Sequence, residues 1–211
     1  MKNIILITAY SILIRNFLKI IVGVKFTKTD FLKKEKQFIL IANHNSHLDT
    51  MSILASLPKS VLSKVRPVAA EDHFGKTKLQ TWMSNYFINT LLIKRKSDKE
   101  NIENDPIFKM NKALENGYSL IIFPEGTRGE PNQPKEFKAG VALLLIKNPN
   151  IPYVPIYLKS MGKAMPKGDS LIVPHESAIF YGSPNKIASV KVEEILAQMK
   201  TEIEELKLKF E

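Results

Sequence analysis

Short apolar runs alternate with stretches of helical spacing, and that alternation confines the chain to one class of fold. The runs are Phe38–Ala42, Arg66–Ala70, Thr90–Ile93, Leu120–Phe123 and Tyr153–Leu158. Each reads as a strand, with Phe38–Ala42 apolar enough to be buried on both faces. Helical segments fall between them: Thr50–Leu57, Lys76–Ile88, a segment opened by Asp105-Pro106 and ended by Gly117, and Phe137–Ile146. Asp caps helix N-termini, Pro fits the first turn, and Gly terminates helices, so the third of these is bounded at both ends. Strands separated by helices imply an α/β fold, a mixed, mostly parallel sheet flanked by helices. Pro67 places Arg66–Ala70 at a sheet edge or makes it a strand start. Leu171–Val173 and Ala178–Tyr181 are predicted as further short strands, and 97–105 and 160–170 as loops. From Val192 an apolar stripe through Ile195, Met199, Ile203 and Phe210 predicts a long covering helix. The 211 residues show no internal repeat and no linker, which fits one domain with a small helical appendage.

Residues 3–24 are the most apolar part of the chain, but Arg15 and Lys19 interrupt them. A spanning helix needs about 20 mostly apolar residues, and a central Arg costs about 2.5–3.5 kcal/mol on insertion scales. Only Lys2 precedes the apolar stretch and no small-x-small cleavage site follows, so a removed signal peptide is not expected. The segment fits an interfacial amphipathic helix; the alternative is a helix that simply packs on the domain. The net charge of +10 is concentrated early, with Lys2, Arg15, Lys19, Lys25, Lys28, Lys33, Lys34 and Lys36 set against Asp30 and Glu35. A basic, apolar N-terminus points to an anionic membrane surface as partner. No nucleic-acid motif accompanies the charge, so nucleic acid is not an expected partner. The absence of cysteine excludes disulfides, a thiolate nucleophile and Cys-ligated zinc.

Two polar clusters follow apolar runs. The first is Asn43-His44-Asn45-Ser46-His47-Leu48-Asp49. Residues five apart do not share a helix face, so His44 and Asp49 meet only if a helix begins between them. Ser46 followed by Asp49 resembles a capping box, with Ser46 as cap. Asp49 then reaches back to one nitrogen of His44, and the other nitrogen faces substrate as a general base. The alternative is that Asp49 merely caps the helix and His44 is a loop residue. A metal site from His44, His47 and Asp49 is an open alternative, but no third-histidine pattern and no HExxH motif accompanies them, so no metal is expected. His73 and His175 have no acidic partner and are read as structural.

The second cluster, Phe123-Pro124-Glu125-Gly126-Thr127-Arg128, follows Leu120–Ile122. Gly126 permits close backbone approach, and exposed amides there can hold an anion. Arg128 and Arg95 can grip a phosphate, and Lys138 adds charge. The alternative is a tight turn with a surface Glu–Arg pair.

Together and in this order, the clusters resemble the PlsC-type 1-acyl-glycerol-3-phosphate acyltransferases. Asn43, His44, Ser46 and Asp49 match the family's NHxSxxD block, and Phe123 through Arg128 match FPEGTR without a change. Leu91-Leu92-Ile93-Lys94-Arg95 keeps the aliphatics and arginine of a GxIFIxR block, with Asn89 where glycine is usual. Val154-Pro155-Ile156 resembles the fourth block. The resemblance implies a glycerol-3-phosphate acyltransferase-like fold, a membrane-associating segment over 1–30 and a catalytic domain over 31–211. It implies catalysis by His44 and Asp49, with Arg95, Glu125, Gly126, Thr127, Arg128 and Lys138 binding substrate. Glu125 is expected to orient an arginine or a hydroxyl. The implied reaction moves a fatty acyl group from acyl-CoA or acyl carrier protein to the sn-2 hydroxyl of the lysophospholipid 1-acyl-glycerol-3-phosphate, giving phosphatidate, with no further cofactor. The implied location is the cytoplasmic face of the cell membrane, with a monotopic attachment. Another acceptor lipid, thioester hydrolysis and a non-catalytic membrane-binding domain are the rival readings.

Overall fold

The computed structural model describes residues 2–74, 88–95, 101–129, 135–165 and 171–210. The helix expected over Lys76–Ile88 lies, apart from Ile88, outside them. Helical backbone runs over Lys2–Thr8, Ala9–Ile14, Arg15–Phe17 and Leu18–Val22, alternating α and π geometry; together these are α1. β1 (Val24–Phe26), β2 (Ile39–Ala42), α2 (Leu48–Ser56), α3 (Lys59–Leu62), β3 (Val65–Ala70) and α4 (Glu71–Phe74) follow. After them come β4 (Leu91–Ile93), α5 (Pro106–Glu115), β5 (Ser119–Ile122), α6 (Gly140–Lys147), β6 (Tyr153–Lys159), α7 (Met161–Ala164), β7 (Ser177–Tyr181) and α8 (Val192–Phe210).

The strands form one sheet in the order β1-β7-β6-β2-β5-β3-β4. Only β6 and β7 run antiparallel among the described pairs, so the sheet is mixed and mostly parallel. β2 is fully buried at the centre, as its unbroken apolar run requires. Successive side chains point to opposite faces. Leu40 and Ala42 pack with Leu6, Leu18, Val22, Ile53 and Leu54 of α1 and α2. Ile39 and Ile41 pack with Met110, Leu144, Ile195 and Met199 of α5, α6 and α8. The result is a three-layer sandwich. β2 and β5 are parallel neighbours, with Ile41 opposite Ile122. Their carboxyl ends therefore leave the sheet side by side, where open α/β sheets bind ligands.

Three expectations change. β3 is not an edge strand: it lies between β5 and β4. Val65, Arg66 and Pro67 pair with β5, and Val68 to Ala70 pair with β4. Pro67 thus sits where the strand changes partners, a point at which a missing donor is tolerated. Leu171–Val173 forms no strand, and Met161–Ala164 in the expected loop is a short helix. The helix starting at Pro106 behaves as read. Asp105 accepts from the amides of Ile107 and Phe108, and Tyr118 N donates to Ala113 O as Gly117 N donates to Leu114 O, a Schellman ending.

α1 is long and apolar enough to cross a bilayer, yet one side of it is built into the domain. Leu6, Tyr10, Leu18 and Val22 are buried. Arg15 is drawn to the protein side: Nη1 donates to Ala55 O at 2.6 Å, and the guanidinium lies 4.5 Å from the Phe26 ring centroid. Ile4, Ile12, Leu13, Phe17, Ile20 and Ile21 remain exposed on the other side.

α8 seals the opposite face. Ile195 and Met199 are fully buried, Phe210 stacks on Phe180 with centroids 4.0 Å apart, and the Tyr153 hydroxyl donates to Glu202 at 2.9 Å. Met199→Ala is expected to lower unfolding free energy by about 2–5 kcal/mol, the range for truncating a buried methionine. A urea titration followed by circular dichroism measures it.

Candidate active site

Asn43 leaves the end of β2 and is clamped to β6 through both ends of its amide. Leu158 N donates to Asn43 Oδ1 at 2.8 Å, and Asn43 Nδ2 donates to Leu158 O at 3.1 Å. The chain then turns into α2. Asp49 occupies the first helical turn and is fully buried. Its Oδ2 accepts from Asn45 N at 2.7 Å and Ser46 N at 2.8 Å, and lies 2.8 Å from His44 Nδ1. An oxygen that accepts from two amides requires Nδ1 to present its hydrogen as well. Nε2 is then the lone-pair nitrogen.

The expected capping box forms in half. Asp49 reaches back to Ser46 N, but Ser46 Oγ accepts from Leu48 N at 3.2 Å, and His47 occupies the cap position without a side-chain bond that caps the helix. Ser46 Oγ donates to Met165 O at 2.9 Å, tying the loop to the residue after α7. The loop is therefore bonded both within itself and to its surroundings.

The second cluster meets the first directly. Phe123 stacks on the His44 ring with centroids 4.1 Å apart and 21° between planes. Glu125 Oε1 accepts from His44 N at 3.0 Å, and Gly129 N donates to His44 O at 2.8 Å. The His44 backbone is thus held on both sides by the loop after β5. Glu125 is 4% exposed and does not line the cavity described below. Its carboxylate grips the His44 backbone instead of the expected arginine or hydroxyl. Burial pushes its pKa up from the ordinary 4.5, opposed by the His44 amide.

Gly126 adopts φ +70°, and a Cβ there would lie 2.7 Å from Lys138 Nζ. The positive φ calls for glycine at this position, whereas the flexible lysine tip could move aside. Lys135 Nζ donates to Thr127 Oγ1 at 3.0 Å and Arg128 O at 2.9 Å, stiffening the turn. From the far side, Arg95 Nε faces Asp72 at 2.8 Å, and Nη1 donates to Gly126 O at 3.4 Å. Asn89 has φ 55°, the left-handed conformation that glycine would supply and asparagine tolerates. Its amide also donates to Ser63 O and Val65 O. The departure from glycine therefore leaves that backbone shape intact.

These residues surround one cavity of about 640 Å³. His44, Arg95, Gly126, Thr127, Arg128 and Lys138 line its polar part. Apolar side chains of α2, β3, β4, α5, β5 and α6 line the rest, among them Met51, Val68, Ile93, Met110, Ile122 and Val141. Among the described residues no group of three or more His, Asp or Glu side chains is placed to hold a metal. The structure adds four residues that the motifs did not flag as parts of the site: Phe123 under the imidazole, Asp72 against Arg95, Lys135 behind Thr127, and Met165 holding Ser46. Phe123 was visible inside its block, whereas the others arrive from distant segments.

A model of the acyltransferase family matches residues 23–159. The chain belongs to that acyltransferase family. It is 31% identical over 132 residues to a probable 1-acyl-sn-glycerol-3-phosphate acyltransferase of Mycoplasma pneumoniae, covering 61% of this chain and 47% of that protein. It is 29% identical over 137 residues to a chloroplastic 1-acyl-sn-glycerol-3-phosphate acyltransferase of Brassica napus, covering 65% of this chain and 37% of that protein. The chain thus spans less than half the length of these relatives. The crystal structure of a 1-acyl-sn-glycerophosphate acyltransferase, PlsC, from Thermotoga maritima shares the fold, with TM-score 0.69, 22% identity, and coverage of 92% of this chain and 78% of that one.

The buried Glu125 carboxyl sets a pH dependence. Its folded-state pKa lies above the ordinary value, so the folded state holds its proton longer than the unfolded state. Its contribution to stability is full below pH 4.5 and is lost as pH rises through the folded pKa. Glu125→Gln keeps an acceptor for His44 N but never ionises. Denaturant midpoints for the variant are expected to match or exceed wild type at pH 7, with a flatter pH profile above 4.5. A midpoint that falls at pH 7 and rises relative to wild type in acid contradicts this.

Proposed function

We propose that this chain transfers a fatty acyl group from an acyl thioester, acyl-CoA or acyl carrier protein, to the sn-2 hydroxyl of 1-acyl-glycerol-3-phosphate, forming phosphatidate. The observation that carries the reading is His44 Nδ1 at 2.8 Å from buried Asp49, at the polar end of an apolar cavity flanked by Arg95, Arg128 and Lys138. The acceptor named in the relatives' activity, 1-acyl-sn-glycerol-3-phosphate, supports the choice.

His44 Nε2 takes the hydroxyl proton as the acceptor oxygen attacks the thioester carbonyl. Asp49 holds the tautomer and stabilises the imidazolium that forms. The tetrahedral intermediate collapses with loss of thiolate, which takes the proton back from His44. One ester forms, one thioester breaks, and the free thiol leaves. Arg95, Arg128 and Lys138 neutralise the acceptor phosphate, and the apolar part of the cavity takes acyl chain. Gly126 and Thr127 keep the cationic rim in shape. Glu125 acts at one remove, by holding the His44 backbone.

The exposed apolar side of α1 supports membrane association, and its buried side supports a helix that lies on the bilayer instead of crossing it. We place the enzyme on this basis as monotopic, at the cytoplasmic face, where a thioester donor is available. Residues 1–30 then carry the membrane contact and 31–211 the chemistry, although β1 within the first segment belongs to the sheet.

His44→Ala is expected to lower kcat by about 10²–10⁴, the range for removal of a general base. Radiolabelled donor offered to a panel of acceptors gives phosphatidate with wild type. No turnover on 1-acyl-glycerol-3-phosphate refutes the acceptor assignment, and thioester loss without acceptor favours hydrolysis. Leu13→Glu, on the exposed side of α1, is expected to reduce sedimentation with anionic liposomes without moving the thermal midpoint. Raising the ionic strength is expected to weaken wild-type binding as well.

A further inference from the structure

The segment 171–175 joins the end of α1. His175 N donates to Val22 O at 3.0 Å, and Ser177 N to Gly23 O at 3.4 Å. Gly23 sits at φ +91°, and a Cβ there would lie 3.1 Å from His175 O, so this approach depends on glycine. At its other end Val173 N donates to Ala164 O at 2.9 Å. The segment is thus pinned from both sides, without being a strand. Ile172 packs inward on the core shared with α1 and α2. Its neighbours do the opposite: Leu171 is 72% exposed and Val173 55%. The α1 residues just before the joint, Ile20 and Ile21, are also exposed. Lys19 and Lys163 are exposed beside the two attachment points, while Lys25 and Glu176 neutralise each other at 2.5 Å.

We propose that Leu171 and Val173 form a second membrane-contacting element, which enters the interface of an anionic phospholipid bilayer together with the exposed side of α1. The inference rests on the membrane reading of α1 and extends it to a part of the chain far away in sequence. Two arguments favour lipid as the occupant. The apolar residues continue the exposed α1 surface across a hydrogen-bonded joint, and the flanking charges are basic, as an anionic headgroup layer requires. Two anchoring elements, in contrast to one helix, also fix rotation about the α1 axis. They thereby set which way the cavity faces, because α1 and Ile172 pack into the core that also holds β2 and α2.

The chain has no cysteine, so single labels can be placed directly. An environment-sensitive nitrobenzoxadiazole label is attached to Leu171→Cys, Val173→Cys, Ile20→Cys or Val190→Cys in the full chain. Val190 is an equally exposed apolar residue beside α8, on the opposite layer, and serves as the control. With phosphatidylglycerol-containing vesicles, labels at 171, 173 and 20 are expected to show a several-fold emission rise and a blue shift, with quenching by doxyl-lipid. The label at 190 is expected to stay unchanged. A response at 20 without one at 171 and 173 overturns this inference and leaves the α1 reading standing. Silence at all of 20, 171 and 173 overturns both. An equal response at 190 means non-specific adsorption and also overturns it. Leu171→Glu with Val173→Glu, checked for an unchanged thermal midpoint, is expected to sediment less with the same vesicles; unchanged sedimentation counts against the element.

Discussion

A single carboxylate oxygen organises the site. Asp49 Oδ2 gathers the His44 ring and two backbone amides within 2.8 Å, and the whole residue is shielded from water. A buried carboxylate without donors would cost several kcal/mol, so the turn that supplies them is also what makes burial possible. The same contact fixes the imidazole's tautomer and orientation. Local folding and the chemical poise of His44 are therefore one event.

The second cluster does not merely face the first; it holds it. Glu125 binds the His44 amide, Gly129 binds the His44 carbonyl, and Phe123 supports the ring. This arrangement is available because β2 and β5 are adjacent and parallel, so two loops at the same end of the sheet share one backbone segment. A buried acid beside the site is thereby a structural clamp. The cavity rim is lined instead by cations, Arg95, Arg128 and Lys138. Arg95 reaches that rim from a different strand, steadied by Asp72. Such an exposed ion pair adds little stability but narrows the arginine's freedom.

α1 has two tasks on two sides. Leu18 and Val22 belong to the core, so the helix is part of the domain rather than a detachable tail. The exposed side carries aliphatic residues that water alone would not favour as one surface. Arg15, which in the sequence interrupts an otherwise spanning segment, turns inward to Ala55 and Phe26. One of the two charges that break the hydropathy pattern is thus removed from the exposed apolar side, while Lys19 stays exposed.

Local signals in the sequence were sufficient for much of this. Alternating apolar runs specified layers and strands, because a strand's burial is written in four or five consecutive residues. Asp105-Pro106 and Gly117 bounded a helix through their own backbone preferences. The spacing of His44, Ser46 and Asp49 defined a contact that closes within one turn. What could not be read locally depended on the order of strands. Pro67 lay inside the sheet because β3 changes partners there, and Leu171–Val173 ran as coil with the Val173 amide bonded to Ala164 O instead of to a ladder. Glu125 became a clamp, and Asp72 and Lys135 became neighbours of the site, only when distant segments met. Short-range sterics and hydrogen bonding act within a few residues and are legible one segment at a time. Partners separated by many residues are chosen by how the layers pack, and that is a property of the folded chain alone.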